Sequence, residues 1–298
     1  MITIRVPATT ANLGTGFDCL GLALSLYNRF DVELSDQDIL ENAEEHFNGP
    51  DNLFLQAYHK GCEEIGVHDC VHVVFHCDIP VSRGLGSSAA LITGGLMAAS
   101  HLHGNALGRD RIFSLAAQSE HHPDNAAPAV CGGLTACLDL QTMRSLPLSD
   151  KWHLTVFIPD VEISTERARA TLPASYAARD TFSAVSRAIM TVQALEHGDM
   201  ALLQRSCQDV LHEPYRKGLI PDFDAVRDLV LADTDGVFLI SGSGSTCLLI
   251  SIEELSSCVI KQIRERSHPS WQIMSLSADM QGAVSEGVKK QDRQLSQK

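Results

Sequence analysis

The stretch that most constrains this chain runs from Val71 to Ser100. Val71, Val73, Phe75 and Cys77 alternate with His72, Val74 and His76, a period of two that predicts a strand. Pro80-Val81-Ser82-Arg83-Gly84-Leu85-Gly86-Ser87-Ser88-Ala89-Ala90 follows, and the apolar run from Ala89 to Ser100 predicts a well-buried helix. A strand, a glycine turn and a helix in that order leave the first helical N–H groups unpaired at the turn. Glycines let a ligand come close to the backbone, and the helix dipole adds to the N–H groups, so the segment can cradle a phosphate. Ser87 and Ser88 add hydroxyls, one of which could reach a Mg²⁺ ion. The Walker pattern is absent, and G-x-G-x-x-G fails because residue 89 is alanine. Neither a P-loop NTPase nor a Rossmann site is therefore expected. A plain serine N-cap behind a glycine turn fits the same residues.

Around this segment the pattern is irregular. Alternation predicts strands at Thr3–Val6 and Tyr27–Leu34, and Asp51 can cap a helix running to about Gly66. A helix over Arg109–His121 and strands at Leu134–Leu140 and His153–Ile158 follow. Between those strands, the polar break Ser145–Lys151 divides the chain into domains at 1–150 and 151–298, which suits a length of 298 residues. Further on, helices are predicted at Thr181–His197, Asp199–Leu211, Phe223–Ala232 and Glu253–Arg266. Strands are predicted at Val237–Ile240, Cys247–Ile252 and Gln272–Ser277. The tail from about Gly287 is polar, and mobility is expected there. Strands and helices alternate too irregularly for a doubly wound parallel sheet, so the expected class is α+β.

Composition narrows the partners. Lys and Arg number 23 against 37 Asp and Glu, for a formal net charge of -14. Such a surface repels phosphate backbones and anionic membranes, so neither nucleic acid nor membrane is an expected partner. The nine cysteines are scattered and none has CxxC spacing, which fits a reducing compartment. The opening MITIRVPATTANLG lacks both a basic n-region and an apolar h-region, and no apolar run approaches the ~18 residues of a membrane span. A cytoplasmic protein is expected.

Three more segments have residues that can do chemistry. Pro7 to Asp18 is a glycine-punctuated loop carrying Asn12 and Asp18, although local turn bonds explain it as well. Glu120-His121-His122-Pro123-Asp124-Asn125 groups polar side chains beside a proline; it can hold a metal or a polar substrate, or simply end a helix. Gly242-Ser243-Gly244-Ser245 lies between two apolar strand-like runs, as a tight connection or as a second loop at the phosphate site. His68, Cys70, His72 and His76 share one face of a strand, which reads as a solvated face before it reads as a zinc site. For Arg169 and Arg216 the default is a surface salt bridge.

The loops PATTANLGTGFD, PVSRGLGSSAA and SGSGST, in that order, resemble the three motifs of the GHMP kinases. Within that family, HPDNAAP at 122–128, the stretch from Ser164 to Pro173, and HEPYR with LIP between His212 and Pro221 are similar to the homoserine kinase subgroup. The resemblance implies a domain like ribosomal protein S5 domain 2 followed by a ferredoxin-like domain. It implies ATP-dependent phosphorylation of the L-homoserine side-chain hydroxyl, a step of threonine biosynthesis, by a homodimer. ATP would lie on Pro80 to Ala90 with Asn52, Gly242 and Gly244, and Mg²⁺ on Ser88 and Glu120. Homoserine would be bound by Asn12, Asp18, His122, Asp124, Arg169 and Arg216, the arginines suiting its carboxylate. Asp18 would orient the hydroxyl with Asn125 close by, and no base is implied. A mevalonate-type alcohol as acceptor, or a non-catalytic metabolite binder, stays open at this point. Where the family's third motif usually reads SGAGPT, this chain has Ser243 and Ser245, and Ser245 is expected to loosen the loop that a proline would stiffen. Ser186 stands where the subgroup usually has asparagine.

Overall fold

The computed structural model describes residues 1–43 and 48–287. Two sheets organise them. The first has the order β11-β1-β2-β4-β3, with β5 joined to β2 and β6 to β5. Its strands are β1 (Ile2–Ala11), β2 (Leu20–Ser35), β3 (Ile39–Glu41), β4 (Cys70–Cys77), β5 (Leu134–Cys137), β6 (Met143–Leu146) and β11 (Val284–Gly287). All neighbours are antiparallel except β3 and β4. Four helices belong to this half: α1 (Leu53–Ile65), α2 (Ser87–Leu102), α3 (Arg109–Glu120) and α4 (Ala126–Cys131). α2 is buried on nearly every face, as its apolar sequence dictates.

The second sheet has the order β10-β7-β9-β8, all antiparallel, from β7 (His153–Pro159), β8 (Val237–Ile240), β9 (Cys247–Ser251) and β10 (Trp271–Leu276). Its helices are α5 (Thr165–Ala170), α6 (Ala178–His197), α7 (Met200–Ser206), α8 (Glu213–Arg216), α9 (Phe223–Asp233) and α10 (Ser257–Arg266). β9 is apolar without interruption because it is covered on both sides. Leu248 and Ile250 join the core that also holds Ile4, Val6, Phe30 and Phe54 of the first half. Cys247 and Leu249 face Phe223, Val226, Val259 and Ile263 of α9 and α10. One apolar core therefore runs from the first sheet into the second, and it fixes the loops between them.

The elements depart from the sequence reading where burial hides periodicity. β1 continues to Ala11 and β2 begins at Leu20, so the first five residues of the Pro7–Asp18 segment are strand. Val6 to Ala11 is buried on both faces, which erases the alternation of period two. β5 stops at Cys137 rather than Leu140, and β6 occupies part of the polar break. α7 ends at Ser206, not Leu211, and Asp209 then accepts the N–H groups of Leu211, His212 and Glu213. α10 starts at Ser257 behind its Ser256 cap instead of at Glu253. The chain does not stay in its second half after residue 151, because β11 returns to pair with β1. The tail expected to be mobile lies, from residue 288, outside the described residues. On β4, His72 sits 2.9 Å from Glu41 and His76 3.2 Å from Asp31. Among the described residues no helix is long and apolar enough to cross a membrane.

Candidate active site

The glycine loop is built into the joint between the sheets. Leu85 O accepts from Thr9 N at 3.1 Å, Gly84 O from the Ser241 hydroxyl at 2.6 Å, and Arg83 O from Thr246 N at 2.9 Å. The expected first and third loops thus hold the second in place. Gly84 and Gly86 have φ of 77° and 68°. A Cβ at Gly86 would fall 1.9 Å from Thr9 Oγ1, and one at Gly84 would fall 2.3 Å from Ser241 O, so no other residue fits. Gly86 is itself the N-cap of α2 and brings no side chain to the first-turn N–H groups. The serine N-cap reading is thereby replaced: Ser87 and Ser88 are the first helical residues. Asn52, Ser164, Asp199 and Ser256 do cap α1, α5, α7 and α10. The uncapped end of α2 opens into a cavity and is suited to an anion.

Beside it, the Ser88 hydroxyl makes a short hydrogen bond to Glu120 Oε1 at the end of α3. Burial pushes the Glu120 carboxyl upward and the Ser88 hydroxyl opposes that. His121 closes α3 with φ 65°, which turns the chain so that His122, Asp124 and Asn125 face the same cavity. Asn125 Oδ1 accepts from Thr9 Oγ1 at 2.7 Å, tying this turn to β1. Asp124 is only 4% exposed, and burial together with the nearby Asp18 charge pushes its carboxyl up to about 7. His122 Nδ1 lies 3.8 Å from Asp124 Oδ1 and has no hydrogen-bond partner among the described residues. Burial, then the Arg169 charge, pulls the His122 imidazole down.

The far wall comes from the first turn and from α5 and α8. Asn12 and Asp18 both have positive φ, 72° and 57°, a conformation Asn and Asp tolerate best. Asn12 Oδ1 accepts from Asp18 N at 3.0 Å while Asn12 Nδ2 donates to Gly242 O at 2.8 Å. Arg169 clasps Asp18 in a bidentate pair at 2.7 and 3.1 Å. Arg216 is buried, donates from Nη1 to Gly242 O at 3.1 Å, and leaves Nε without a partner among the described residues. Both guanidiniums lie over the Phe17 ring, at 5.9 and 5.0 Å from its centroid. Both arginines therefore line the cavity: Arg169 does so through a part-exposed salt bridge to Asp18, the kind of contact expected for it by default, whereas Arg216 is buried.

One cavity of about 280 Å³ brings together Asn12, Asp18, Ser88, Glu120, His122, Asp124, Asn125, Arg169 and Arg216, along with Val81 to Gly84, Gly86, Ser87 and Gly242. Six of the expected residues stand behind its wall. Leu85, Ala89 and Ala90 are buried under the loop. Pro80 precedes the loop, Asn52 caps α1 next to the lining residue Leu53, and a Cβ on Gly244 would meet Ile220 and Ile163. Ser245 is fully buried and its hydroxyl bonds to Val161 O, so the third loop is tethered where the sequence led us to expect loosening. Thr9, Ser241 and Phe17 were missed as functional supports. Each sat inside a recognised motif, but a neutral side chain that braces another carries no signal of its own.

Known proteins share this architecture. Residues 52–133 match the family described as "GHMP kinases N terminal domain". The chain is 39% identical to the homoserine kinase of Clostridium botulinum (strain 657 / Type Ba4) over 292 residues, covering 95% of this chain and 98% of that one. It is 38% identical to the homoserine kinase of Caldicellulosiruptor saccharolyticus, covering 95% and 96%. The crystal structure of homoserine kinase from Cytophaga hutchinsonii superposes with a TM-score of 0.83 at 25% identity, over 96% of this chain and 97% of that chain. The α+β architecture with two sheets is thus the GHMP kinase fold, and the chain belongs to the homoserine kinase family.

Proposed function

We propose that this chain transfers the γ-phosphoryl group of ATP to the side-chain hydroxyl of L-homoserine. The observation that carries the reading is the pairing, within one cavity, of two arginines with two aspartates opposite the uncapped end of α2. An α-amino acid with a side-chain hydroxyl has a carboxylate for Arg169 and Arg216, an ammonium for Asp124 and a hydroxyl for Asp18 to orient. The buried, unpartnered Arg216 Nε is a donor that a substrate carboxylate would satisfy. Mevalonate offers a carboxylate but no cation, and it would bring nothing to the buried Asp124.

In this reading the N–H groups at the start of α2 neutralise the phosphates, and the Asn12–Asp18 turn presents the acceptor hydroxyl in line. Phosphoryl transfer needs little beyond such positioning and charge neutralisation. Asp18, already committed to Arg169, is an orienting group rather than a base, and the hydroxyl proton can leave late in a loose transition state. Mg²⁺ fits the Ser88–Glu120 pair: one hydroxyl and one carboxylate beside a phosphate cradle is the sparse protein contribution that Mg²⁺ takes. When bound, that ion neutralises phosphate charge. The same reading takes the enzyme as a cytoplasmic homodimer. Phe182, Val185 and Ile189 are exposed along α6 and support an interface there. Product analysis tests the proposal: ³¹P NMR after incubation with Mg-ATP and L-homoserine should show a phosphomonoester coupled to the side-chain methylene protons. Inorganic phosphate alone would refute it.

A further inference from the structure

His212 is outside the set assigned above to substrate, yet it touches the elements that carry that set. Its side chain is fully buried. The ring stacks on Phe17 with centroids 5.0 Å apart and planes 20° from parallel, and Nε2 lies 2.8 Å from Gly14 O. Gly14 and Phe17 belong to the same turn as Asn12 and Asp18. On the other side, Nδ1 lies 3.5 Å from Arg216 Nη1. That Nη1 also donates to Gly242 O, the carbonyl that Asn12 Nδ2 engages. Asp209 fixes the backbone here, accepting the His212 and Glu213 N–H groups at 2.7 and 2.8 Å.

These contacts dictate the state of the imidazole. A carbonyl only accepts, so Nε2 carries the proton; a guanidinium only donates, so Nδ1 keeps its lone pair. The neutral Nε2–H tautomer alone satisfies both. The charges facing the ring are Asp209, with Oδ2 3.8 Å from Nε2, together with Asp18 and Arg216. Burial outweighs the carboxylates and holds the group below its ordinary value.

We propose that His212 is a positioning residue for the reaction: a neutral imidazole that locks the Asn12–Asp18 turn to Arg216. It thereby sets the distance between the groups that receive the two ends of a zwitterionic acceptor. This rests on the amino-acid reading of the site given above. His212→Phe keeps a ring against Phe17 and loses both polar contacts, whereas His212→Gln keeps a donor for Gly14. We expect His212→Phe to raise KM for homoserine about tenfold or more and to leave KM for ATP within about twofold, with His212→Gln recovering most of the loss. Equal changes in both KM values, or a lower Tm with neither KM changed, overturn the proposal. If His212→Phe does not fold, Phe17→Leu removes the stack instead, and an unchanged homoserine KM there overturns it. A readout independent of turnover is the imidazole ¹⁵N spectrum, with His212 identified by its absence in His212→Gln. The ring should be neutral and Nε2-protonated from about pH 6 to 8, and a doubly protonated ring in that window contradicts the proposal. A wild-type protein silent with homoserine would refute the functional reading, and the ¹⁵N spectrum would still decide the state of His212.

Discussion

Asp124 ties the pH dependence of this enzyme to one buried carboxyl. Burial and the Asp18 charge raise it to about 7, so near neutrality about half of the free protein would carry it protonated. The proposed acceptor brings an ammonium, which requires the ionised form. With the group at about 7, the ionised fraction is about 0.5 at pH 7, about 0.09 at pH 6 and about 0.01 at pH 5. kcat/KM for homoserine should therefore fall about fivefold from pH 7 to 6 and about fiftyfold from pH 7 to 5, while KM for ATP stays nearly flat. Stability runs the other way. The folded value lies above the unfolded one, so this group's contribution is complete below about pH 4 and is lost as pH rises through about 7, at a cost of a few kcal/mol. Asp124→Asn should flatten the acidic limb, lower kcat/KM at pH 8, and leave Tm at pH 8 unchanged or raised. The assay is steady-state ADP release at saturating Mg-ATP from pH 5 to 8.5, with thermal melts alongside. An acidic limb of the same slope and midpoint in Asp124→Asn would refute the assignment.

Three further perturbations have defined outcomes. Asp18→Ala should reduce kcat/KM about a hundredfold or more with little change in Tm, because its pair with Arg169 is half exposed and worth about 0–1 kcal/mol; unchanged turnover would remove Asp18 from the mechanism. Gly86→Ala, with its Cβ driven against Thr9 and a left-handed backbone to hold, should raise KM for ATP about tenfold, and an unaltered ATP titration would contradict the cradle. Glu120→Gln should shift the Mg²⁺ needed for half-maximal rate upward about tenfold and leave homoserine KM within about twofold, whereas an unchanged Mg²⁺ titration would exclude Glu120 as a ligand.

Much of the site could be read before the fold was known. The strand–glycine–helix order around residues 71–100 pointed to a helix start facing a ligand, beside the alternative of a plain serine cap, because unpaired N–H groups at a helix start follow from backbone geometry alone. Asn12, Asp18 and Asp124 were visible as polar side chains within two residues of a glycine or proline. What could not be read was convergence. Arg169 and Arg216 lie 47 residues apart in sequence, and contacts from other segments, with Phe17 under both, Asp18 on Arg169 and Gly242 on Arg216, bring them to one wall. The long β1–β2 ladder was partly hidden because Val6–Ala11 is buried on both faces and carries no alternation. β11 was missed for a related reason: four residues with one apolar side chain become a strand only because β1 offers its edge.

The central claim is that an amino-acid hydroxyl accepts the phosphoryl group. The most direct measurement is coupled ADP release with Mg-ATP, comparing L-homoserine, mevalonate, galactose and L-serine on the wild-type chain. The geometry calls for turnover with L-homoserine and none above background with mevalonate or galactose. Turnover with mevalonate or galactose and silence with homoserine would contradict it, and would mean that Arg169, Arg216 and Asp124 in this cavity do not read a zwitterion.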